Sequence, residues 1–255
     1  MESKIAMDCE RVTVHTMNPV HRRGPAFYAS LPCGPHTAEI LNGHGANREE
    51  AKLCLVSTLW NHLAAMERHY WKRCQSSNEN ASPIQVLRGP LGRPHLQLGE
   101  DRGPAISFSE GGGKVWAALC GDDSDIGIDV TSTDEFPEEY PFLRVFHSEE
   151  LQHALKLAGG DLGNASALLW SVKEAVVKAL GCAFHLVDPL QITAYPSTEG
   201  AAGQDSWYTF PVGLSGKALM RFPIDAGRSL LVRSLPQNKM WLSIAFLKRR
   251  PIGHE

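Results

Sequence analysis

The chain has 255 residues, of which 43% are hydrophobic and 21% charged, a composition typical of a globular protein. Its formal net charge of −3 argues against a nucleic-acid binder that relies on bulk positive charge, although a local basic pocket for a small polyanion is not excluded. We expect a cytoplasmic protein with reduced thiols and no membrane contact, because the six cysteines are scattered, no signal peptide is visible, and no apolar run reaches the roughly 20 residues that span a bilayer.

The N-terminal half is predicted to contain short strands and one long helix. Residues 11–17 alternate like a strand, whereas the Pro-, Gly- and His-rich residues 18–45 predict a long irregular loop. A helix is predicted from Asn47, with Glu50 completing its capping box, to about Arg73. A turn-rich loop is predicted at 88–94 and a hairpin turn at 110–113, and strands are predicted at 84–87, 105–109, 115–120 and 126–130.

The C-terminal half is predicted to contain two helices followed by strands. One helix starts at Ser148 and ends before Gly159, and the next, Leu168–Gly181, carries a broad apolar stripe. Strands are predicted at 190–195, 207–211, 218–222, 230–234 and 240–246. The order of elements predicts an α+β fold of two related lobes, residues 1–121 and 122–255, that meet near Asp122–Asp125.

Two carboxylates are candidates for chemistry. Asp129 lies in the apolar run I-G-I-D-V, where a charge costs several kcal/mol unless it is paired, hydrogen-bonded or bound to a metal. Glu174 lies on the Leu168–Gly181 helix, four residues before Lys178 and next to Lys173. Two carboxylates near lysines suit Mg²⁺ bound to a phosphate-bearing substrate, because Mg²⁺ prefers one or two protein carboxylates together with waters and phosphate oxygens.

Each of these residues also has a purely structural interpretation. Asp129 could cap the turn that follows it, and Glu174 and Lys178 could form a solvated pair contributing about 0.3–0.5 kcal/mol. Trp170 is more often a core residue than a ligand platform. The E-G-G-G sequence at 110–113 is more often a turn than an anion-binding nest, and the remaining basic candidates are ordinarily solvated or loop residues: Arg48, Lys52 and Arg93.

Two motifs together point to a known family. The sequences G-I-D-V at 127–130 and W-S-V-K-E-A-V-V-K-A-L-G at 170–181 resemble the signature of the Sfp-type 4′-phosphopantetheinyl transferases, a G-[IV]-D strand followed some 40 residues later by W-x-x-K-E-x-x-x-K-x-x-G. F-H-S-E-E-L at 146–151 and G-R-P-H-L at 92–96 resemble further family motifs. The resemblance covers about residues 84–192 and implies an α+β fold of two pseudo-symmetric lobes, each a small, mainly antiparallel sheet packed with a long helix, with the active site in the cleft between them.

The resemblance implies a reaction and its participants. The phosphopantetheine arm of coenzyme A would move to a serine of an acyl or peptidyl carrier protein of fatty-acid, polyketide or peptide synthesis, releasing adenosine 3′,5′-bisphosphate. Asp129 and Glu174 would bind Mg²⁺ with the pyrophosphate, and Glu174 would accept the serine proton directly or through a water. Lys178, with Lys173 nearby, would stabilise charge on the leaving group. We expect a monomer.

The sequence departs from the family pattern at two positions. Ser109-Glu110-Gly111 stands where the family has S-H-S or S-H-T, so a carboxylate replaces a histidine that helps to hold phosphate on coenzyme A. Glu110 could point away, Arg93 or Arg48 could compensate its charge, or coenzyme A could bind weakly. Arg48 and Lys52 are candidates, by location only, for the residues that hold the 3′-phosphate of coenzyme A. Thr131 replaces a second acidic residue. The alternatives are a catalytically reduced relative that binds carrier protein or nucleotide without transfer, which Glu110 favours, and an unrelated Mg²⁺-dependent phosphotransferase.

Overall fold

The structure is a computed structural model, and it describes a core of the chain in ten ranges. The described residues are 12–17, 25–33, 48–66, 84–89, 91–98, 101–121, 124–137, 139–197, 207–224 and 230–248. Within these ranges no helix is long and apolar enough to cross a membrane.

The first sheet has six antiparallel strands in the order β1-β2-β6-β5-β4-β3. One face is covered by helix α1, Arg48–Met66, which buries Leu55, Leu59 and Leu63 against it. Because these side chains recur every four residues, they form one apolar stripe along the helix. The strands are β1 (Val14–Met17), β2 (Ala26–Pro32), β3 (Gln85–Arg88), β4 (Pro94–Leu98), β5 (Asp101–Gly111) and β6 (Lys114–Cys120).

The second sheet has five antiparallel strands in the order β7-β11-β10-β9-β8, and helix α3, Leu162–Leu180, packs on β7 and β11. Asp161 caps the start of α3, since its side chain accepts a hydrogen bond from the Asn164 amide, and Gly181 ends it at a φ of 77°. The remaining elements are β7 (Ser124–Ser132), α2 (Ser148–Leu157), β8 (Ile192–Ala194), β9 (Tyr208–Leu214), α4 (Gly216–Arg221), β10 (Leu230–Gln237) and β11 (Met240–Lys248).

The two sheets face each other across a shared apolar core that includes Tyr28, Trp116, Ile128 and Ile244. Two serines of β5 also fasten the sheets together at β7, the edge strand of the second sheet. The amide of Ile128 donates to Ser107 Oγ at 3.1 Å, and the amide of Val130 donates to Ser109 Oγ at 3.1 Å. An edge strand carries amides without a strand partner, and these hydroxyls satisfy two of them.

The predicted α+β fold is confirmed: each of two antiparallel sheets carries one long helix. The predicted hairpin turn is also confirmed, with Gly112 and Gly113 at positive φ. The residues of the first sheet lie between 14 and 120 and those of the second between 124 and 248, so the expected boundary at 121/122 falls in their connection. The division into domains stays a prediction, as does a symmetry relation between the lobes.

Four local predictions were wrong. Residues 18–45 include β2, which is buried on both faces and therefore lacks the alternation that marks a half-buried strand. Residues 218–222 lie mostly in α4 rather than in a strand, in keeping with the helix-forming residues Lys217, Ala218, Leu219 and Met220. Helix α3 begins at Leu162, six residues before the predicted start, and β4 takes up the end of the predicted loop at 88–94. The part of the first helix predicted beyond Met66 lies outside the described residues.

The prediction of uniformly reduced thiols was also wrong. Cys54 is disulfide-bonded, whereas Cys33, Cys120 and Cys182 are not. Scattered spacing along the sequence does not report which cysteines approach each other in the folded chain, and for that reason the pattern alone misled.

Gly127 allows α3 to lie directly on β7. A Cβ added there would collide with the carbonyl oxygen of Ala175 and would lie 2.5 Å from the Ala179 amide nitrogen, both backbone atoms that cannot rotate away. We expect Gly127→Ala to lower the free energy of unfolding by about 1–3 kcal/mol, measured by urea denaturation. Gly89→Ala is the control, because a Cβ added there would lie at an ordinary 3.7 Å from its nearest neighbour, Arg93 O. Equal stability of the two variants would show that α3 and β7 can separate at little cost.

Candidate active site

A cavity of about 660 Å³ lies between the two sheets and receives side chains from both halves of the chain. The first half contributes residues of α1, of β5 and of the segment around β3 and β4, and the second half contributes residues of β7 and α3. The charged and polar residues of its wall include Lys52, Arg88, Arg93, Ser109, Glu110, Asp129, Thr131, Glu135, Glu174 and Lys178. The cavity therefore collects all of the predicted site residues except Arg48 and Lys173.

Asp129 is only 6% exposed and is surrounded by donors. Its Oδ1 accepts from Lys178 Nζ at 2.7 Å and from Ser109 Oγ at 3.0 Å, and its Oδ2 accepts from Thr131 Oγ1 at 2.8 Å. These contacts compensate the cost of a buried charge, as the sequence required. The oxygen of Ser109 also accepts a hydrogen bond from the Val130 amide. The same hydroxyl group therefore links the two sheets and stabilises the Asp129 carboxylate.

Lys178 connects α3 to β7. Besides Asp129, its ammonium group donates to the carbonyl oxygen of Ile128 at 3.1 Å and to Ser109 Oγ at 3.3 Å. Its ion-pair partner is thus Asp129 on another element, not Glu174 one helical turn away. Because α3 is rigidly mounted on the sheet, the ammonium is held at the cavity wall rather than free in solvent.

Glu174 lines the same wall and forms no ion pair with another residue that the structure describes. Burial raises the pKa of its carboxyl group, the charge of Asp129 raises it further, Lys178 lowers it and Glu135 adds a smaller upward contribution. A carboxylate whose charge is disfavoured by burial and by two acidic neighbours attracts a cation or a proton. Those are the properties of a metal ligand or a general base.

Lys173 does not lie at the cavity. Its side chain is 0% exposed, and its ammonium contacts Glu150 Oε1 at 2.6 Å and the carbonyl oxygens of Val145 and Pro189, each at 2.9 Å. The prediction that Lys173 lies near the phosphates was therefore wrong. Consecutive helical residues point about 100° apart, so Lys173 and Glu174 leave α3 on different sides.

At another part of the wall Glu110 bridges two cations. Its Oε2 lies 3.2 Å from Arg48 Nη1 and its Oε1 lies 3.3 Å from Lys52 Nζ, and Lys52 also lies 3.1 Å from Glu49. Arg48 does compensate Glu110, as one of the predicted alternatives required. Arg48 itself is 72% exposed and is not part of the cavity wall.

Arg93, the other predicted compensating cation, lines the cavity but pairs with Asp125 at 2.8 Å. A Cβ added at Gly181, the residue that ends α3, would lie 2.8 Å from Arg93 Cδ. Arg93 therefore packs against the end of this helix, and its charge is compensated by the second half of the chain rather than by Glu110.

The sequence reasoning overlooked three residues of the wall. Arg88 lies at the end of β3 and has no carboxylate within ion-pair distance among the residues that the structure describes. Glu135 reaches the cavity from the short helical turn after β7, and the S-T-D-E capping pattern at 132–135 could have indicated that turn. Cys182 also lines the cavity, and burial raises its pKa to about 11, so its thiol is protonated near neutral pH and unsuited to act as a nucleophile.

The donor set fits Mg²⁺ only when a ligand supplies further oxygens. Within the described ranges no group of three His, Cys, Asp or Glu side chains could hold a metal ion. Asp129 and Glu174 provide two carboxylates, which is the number Mg²⁺ commonly takes from a protein that also binds a phosphate-bearing substrate. The raised pKa of Glu174 is consistent with an acidic environment that a cation would stabilise.

The fold and the cavity define an α+β protein in which two carboxylates and a lysine meet between two antiparallel sheets. Residues 125–208, which contain Asp129, Glu174 and Lys178, match the family model described as the 4′-phosphopantetheinyl transferase superfamily. This part of the chain is similar to that superfamily, and the resemblance predicted from the two motifs is confirmed at that level.

Comparison with solved structures gives a distant match, and comparison with curated proteins gives none. A structure described as the Chronobacterium ammoniagenes ACPS-CoA complex matches at 19% identity and a TM-score of 0.39, covering 51% of this chain and 100% of its own. No curated protein matches the chain.

Proposed function

We propose that the protein transfers the 4′-phosphopantetheine arm of coenzyme A to a serine of an acyl or peptidyl carrier protein and releases adenosine 3′,5′-bisphosphate. One observation carries the proposal: Asp129 lies on the wall of one cavity of about 660 Å³ together with Glu174 and Lys178, which follow it by 45 and 49 residues in the sequence. A cavity of this size accepts a nucleotide-like ligand. A monomeric state and a cytoplasmic location stay predictions.

In the proposed reaction the serine oxygen attacks the phosphorus that carries the pantetheine. A new oxygen–phosphorus bond forms, the bond from that phosphorus to the bridging oxygen of the pyrophosphate breaks, and the bridging oxygen leaves with the adenosine bisphosphate. Glu174 accepts the proton that the serine loses, directly or through a water. The raised pKa of Glu174 supports this role, since a stronger base takes a proton more readily as long as it is ionised at the working pH.

The leaving group gains negative charge in this step, and cations near it lower the barrier. Lys178 is held at the wall by Asp129, Ser109 and the Ile128 carbonyl oxygen, so we assign it to the pyrophosphate. We assign Arg88 to the same group, because it lines the cavity and lacks a carboxylate partner among the described residues. Ser109 and Thr131 position Asp129 by donating to its two oxygens.

Asp129 and Glu174 would hold Mg²⁺. When bound, Mg²⁺ neutralises charge on the phosphate oxygens and polarises the phosphorus for attack. The protein's own contribution is to place two carboxylates on the wall of one cavity and to hold one of them, Asp129, through three side-chain donors.

One observation favours the second candidate, a relative that binds carrier protein or nucleotide without transfer. Glu110 occupies Arg48 and Lys52, and these cations are thereby less available to coenzyme A. Calorimetry separates the candidates: micromolar binding of coenzyme A that depends on Mg²⁺ supports the enzyme, and binding of carrier protein without detectable coenzyme A binding supports the relative.

Incubation of the protein with coenzyme A, Mg²⁺ and apo carrier proteins is expected to add the mass of one phosphopantetheine group to the carrier. Intact-protein mass spectrometry measures this, using apo carriers from fatty-acid, polyketide and peptide synthases. A carrier whose acceptor serine is replaced by alanine is the matched control and should stay unmodified. Unchanged mass for every carrier type would overturn the proposed transfer.

A further inference from the structure

The carboxylate of Glu110 is bound in the way that a protein binds the anion of a ligand. Each of its oxygens has its own cation, Arg48 at 3.2 Å on Oε2 and Lys52 at 3.3 Å on Oε1. Lys52 is only 17% exposed and lines the cavity, so the ion pair lies at the edge of the space in which a ligand would lie.

The charges of this cluster cancel. Arg48 and Lys52 carry two positive charges, and Glu49 and Glu110 carry two negative charges, with Lys52 placed between the two carboxylates. A phosphate that approaches Lys52 therefore meets Glu110 at contact distance and gains no net attraction. It could take the place of the carboxylate only by breaking both of these ion pairs.

The cluster lies close to the reacting end of the cavity. Glu110 directly follows Ser109 on β5, and Ser109 contacts both Asp129 and Lys178. Successive residues of a strand are about 3.4 Å apart, and although their side chains leave opposite faces of β5, Ser109 and Glu110 both line the cavity. In coenzyme A the 3′-phosphate and the pyrophosphate are attached to the same ribose. The 3′-phosphate must therefore lie near the pyrophosphate.

We infer that Glu110 determines donor specificity, by occupying Lys52 and Arg48 so that the ribose 3′-phosphate of the donor contributes little to binding. This inference rests on the proposed function. The donor is then recognised through its pyrophosphate and its pantetheine arm, and 3′-dephospho-coenzyme A binds about as well as coenzyme A. Removing the Glu110 charge frees one positive charge of the cluster for the 3′-phosphate.

The test compares coenzyme A with 3′-dephospho-coenzyme A by calorimetry in the presence of Mg²⁺, on the full chain and three variants. The expected Kd ratio of the two donors is within about threefold for the unaltered protein. Glu110→Gln is expected to tighten coenzyme A about tenfold, because removal of one charge beside a phosphate is an effect of this order, and to leave the dephospho donor unchanged. Glu139→Gln, the same change at an exposed residue outside the cavity wall, should leave the ratio unaltered.

Arg88→Gln tests the main competing explanation, in which Arg88 binds the 3′-phosphate of the donor. If Arg88 serves the pyrophosphate, this variant weakens both donors by the same factor. The inference is overturned if the unaltered protein prefers coenzyme A more than about tenfold, if Glu110→Gln leaves the ratio unchanged, or if Arg88→Gln alone removes a preference for coenzyme A. Equal binding of the two donors without transfer to any carrier would instead overturn the proposed function and retain the specificity.

Discussion

Replacement of Glu174 by glutamine is expected to lower kcat for transfer by a factor on the order of 10² or more. Glutamine has nearly the same shape but can neither accept the serine proton nor contribute a charge to a metal site. The measurement is the initial rate of carrier modification at saturating coenzyme A and carrier protein. Turnover equal to that of the unaltered protein would remove Glu174 from the mechanism.

The pH profile gives an independent readout of the same residue. Because the pKa of Glu174 is raised, its carboxyl group takes up a proton at a higher pH than an ordinary glutamate does, and kcat/KM should fall as the pH decreases through that value. The residual activity of Glu174→Gln should lack this acid limb. Glu139→Gln is the control for a lost surface charge and should retain both the rate and the limb.

Replacement of Lys173 by methionine is expected to lower the free energy of unfolding by about 3–5 kcal/mol, because it leaves one partner of a buried ion pair without the other. Lys173 and Glu150 are both nearly inaccessible, and their contact of 2.6 Å is supported by hydrogen bonds from Lys173 to two carbonyl oxygens. Glu150 in turn accepts from the amides of His147 and Ala194. Urea denaturation followed by circular dichroism measures the loss.

The double variant Lys173→Met/Glu150→Gln should recover part of this stability, since no uncompensated charge is then buried. Lys156→Met, at an exposed position of α2, is the control and should change stability by no more than about 0.5 kcal/mol. A loss at Lys173 as small as that at Lys156 would contradict the view that the pair joins α2, α3 and β8.

The sequence predicted those parts of the site in which a charged residue stands in an otherwise apolar strand or helix. Asp129 was identifiable because a carboxylate inside an apolar strand requires compensation, and the structure supplies three donors. Helix α3 was identifiable from its apolar stripe and from Gly181, although its start was placed six residues late because Leu162, Gly163 and Asn164 lack the strong periodicity of the later turns.

Contacts between distant segments were not predictable from the same sequence. Nothing in the vicinity of Lys173 shows that Glu150 approaches it from α2, and a lysine beside a glutamate resembles an active-site pair whichever way it points. The partners of Glu110 likewise come from α1, about sixty residues earlier in the chain. Such pairings follow from how the elements pack, and local patterns do not encode them.

The hydroxyl of Ser109 places two properties of the molecule under the same constraint. It accepts the amide of Val130 on the facing sheet and donates to Asp129, so a movement that parts the sheets also loosens the carboxylate. Any separation of the sheets at this point is therefore thermodynamically coupled to the electrostatics of the site. A ligand that holds Asp129 in place will oppose separation of the sheets. Because the charge of Asp129 raises the pKa of Glu174, a change at the sheet interface that moves Asp129 will also change the pKa of Glu174.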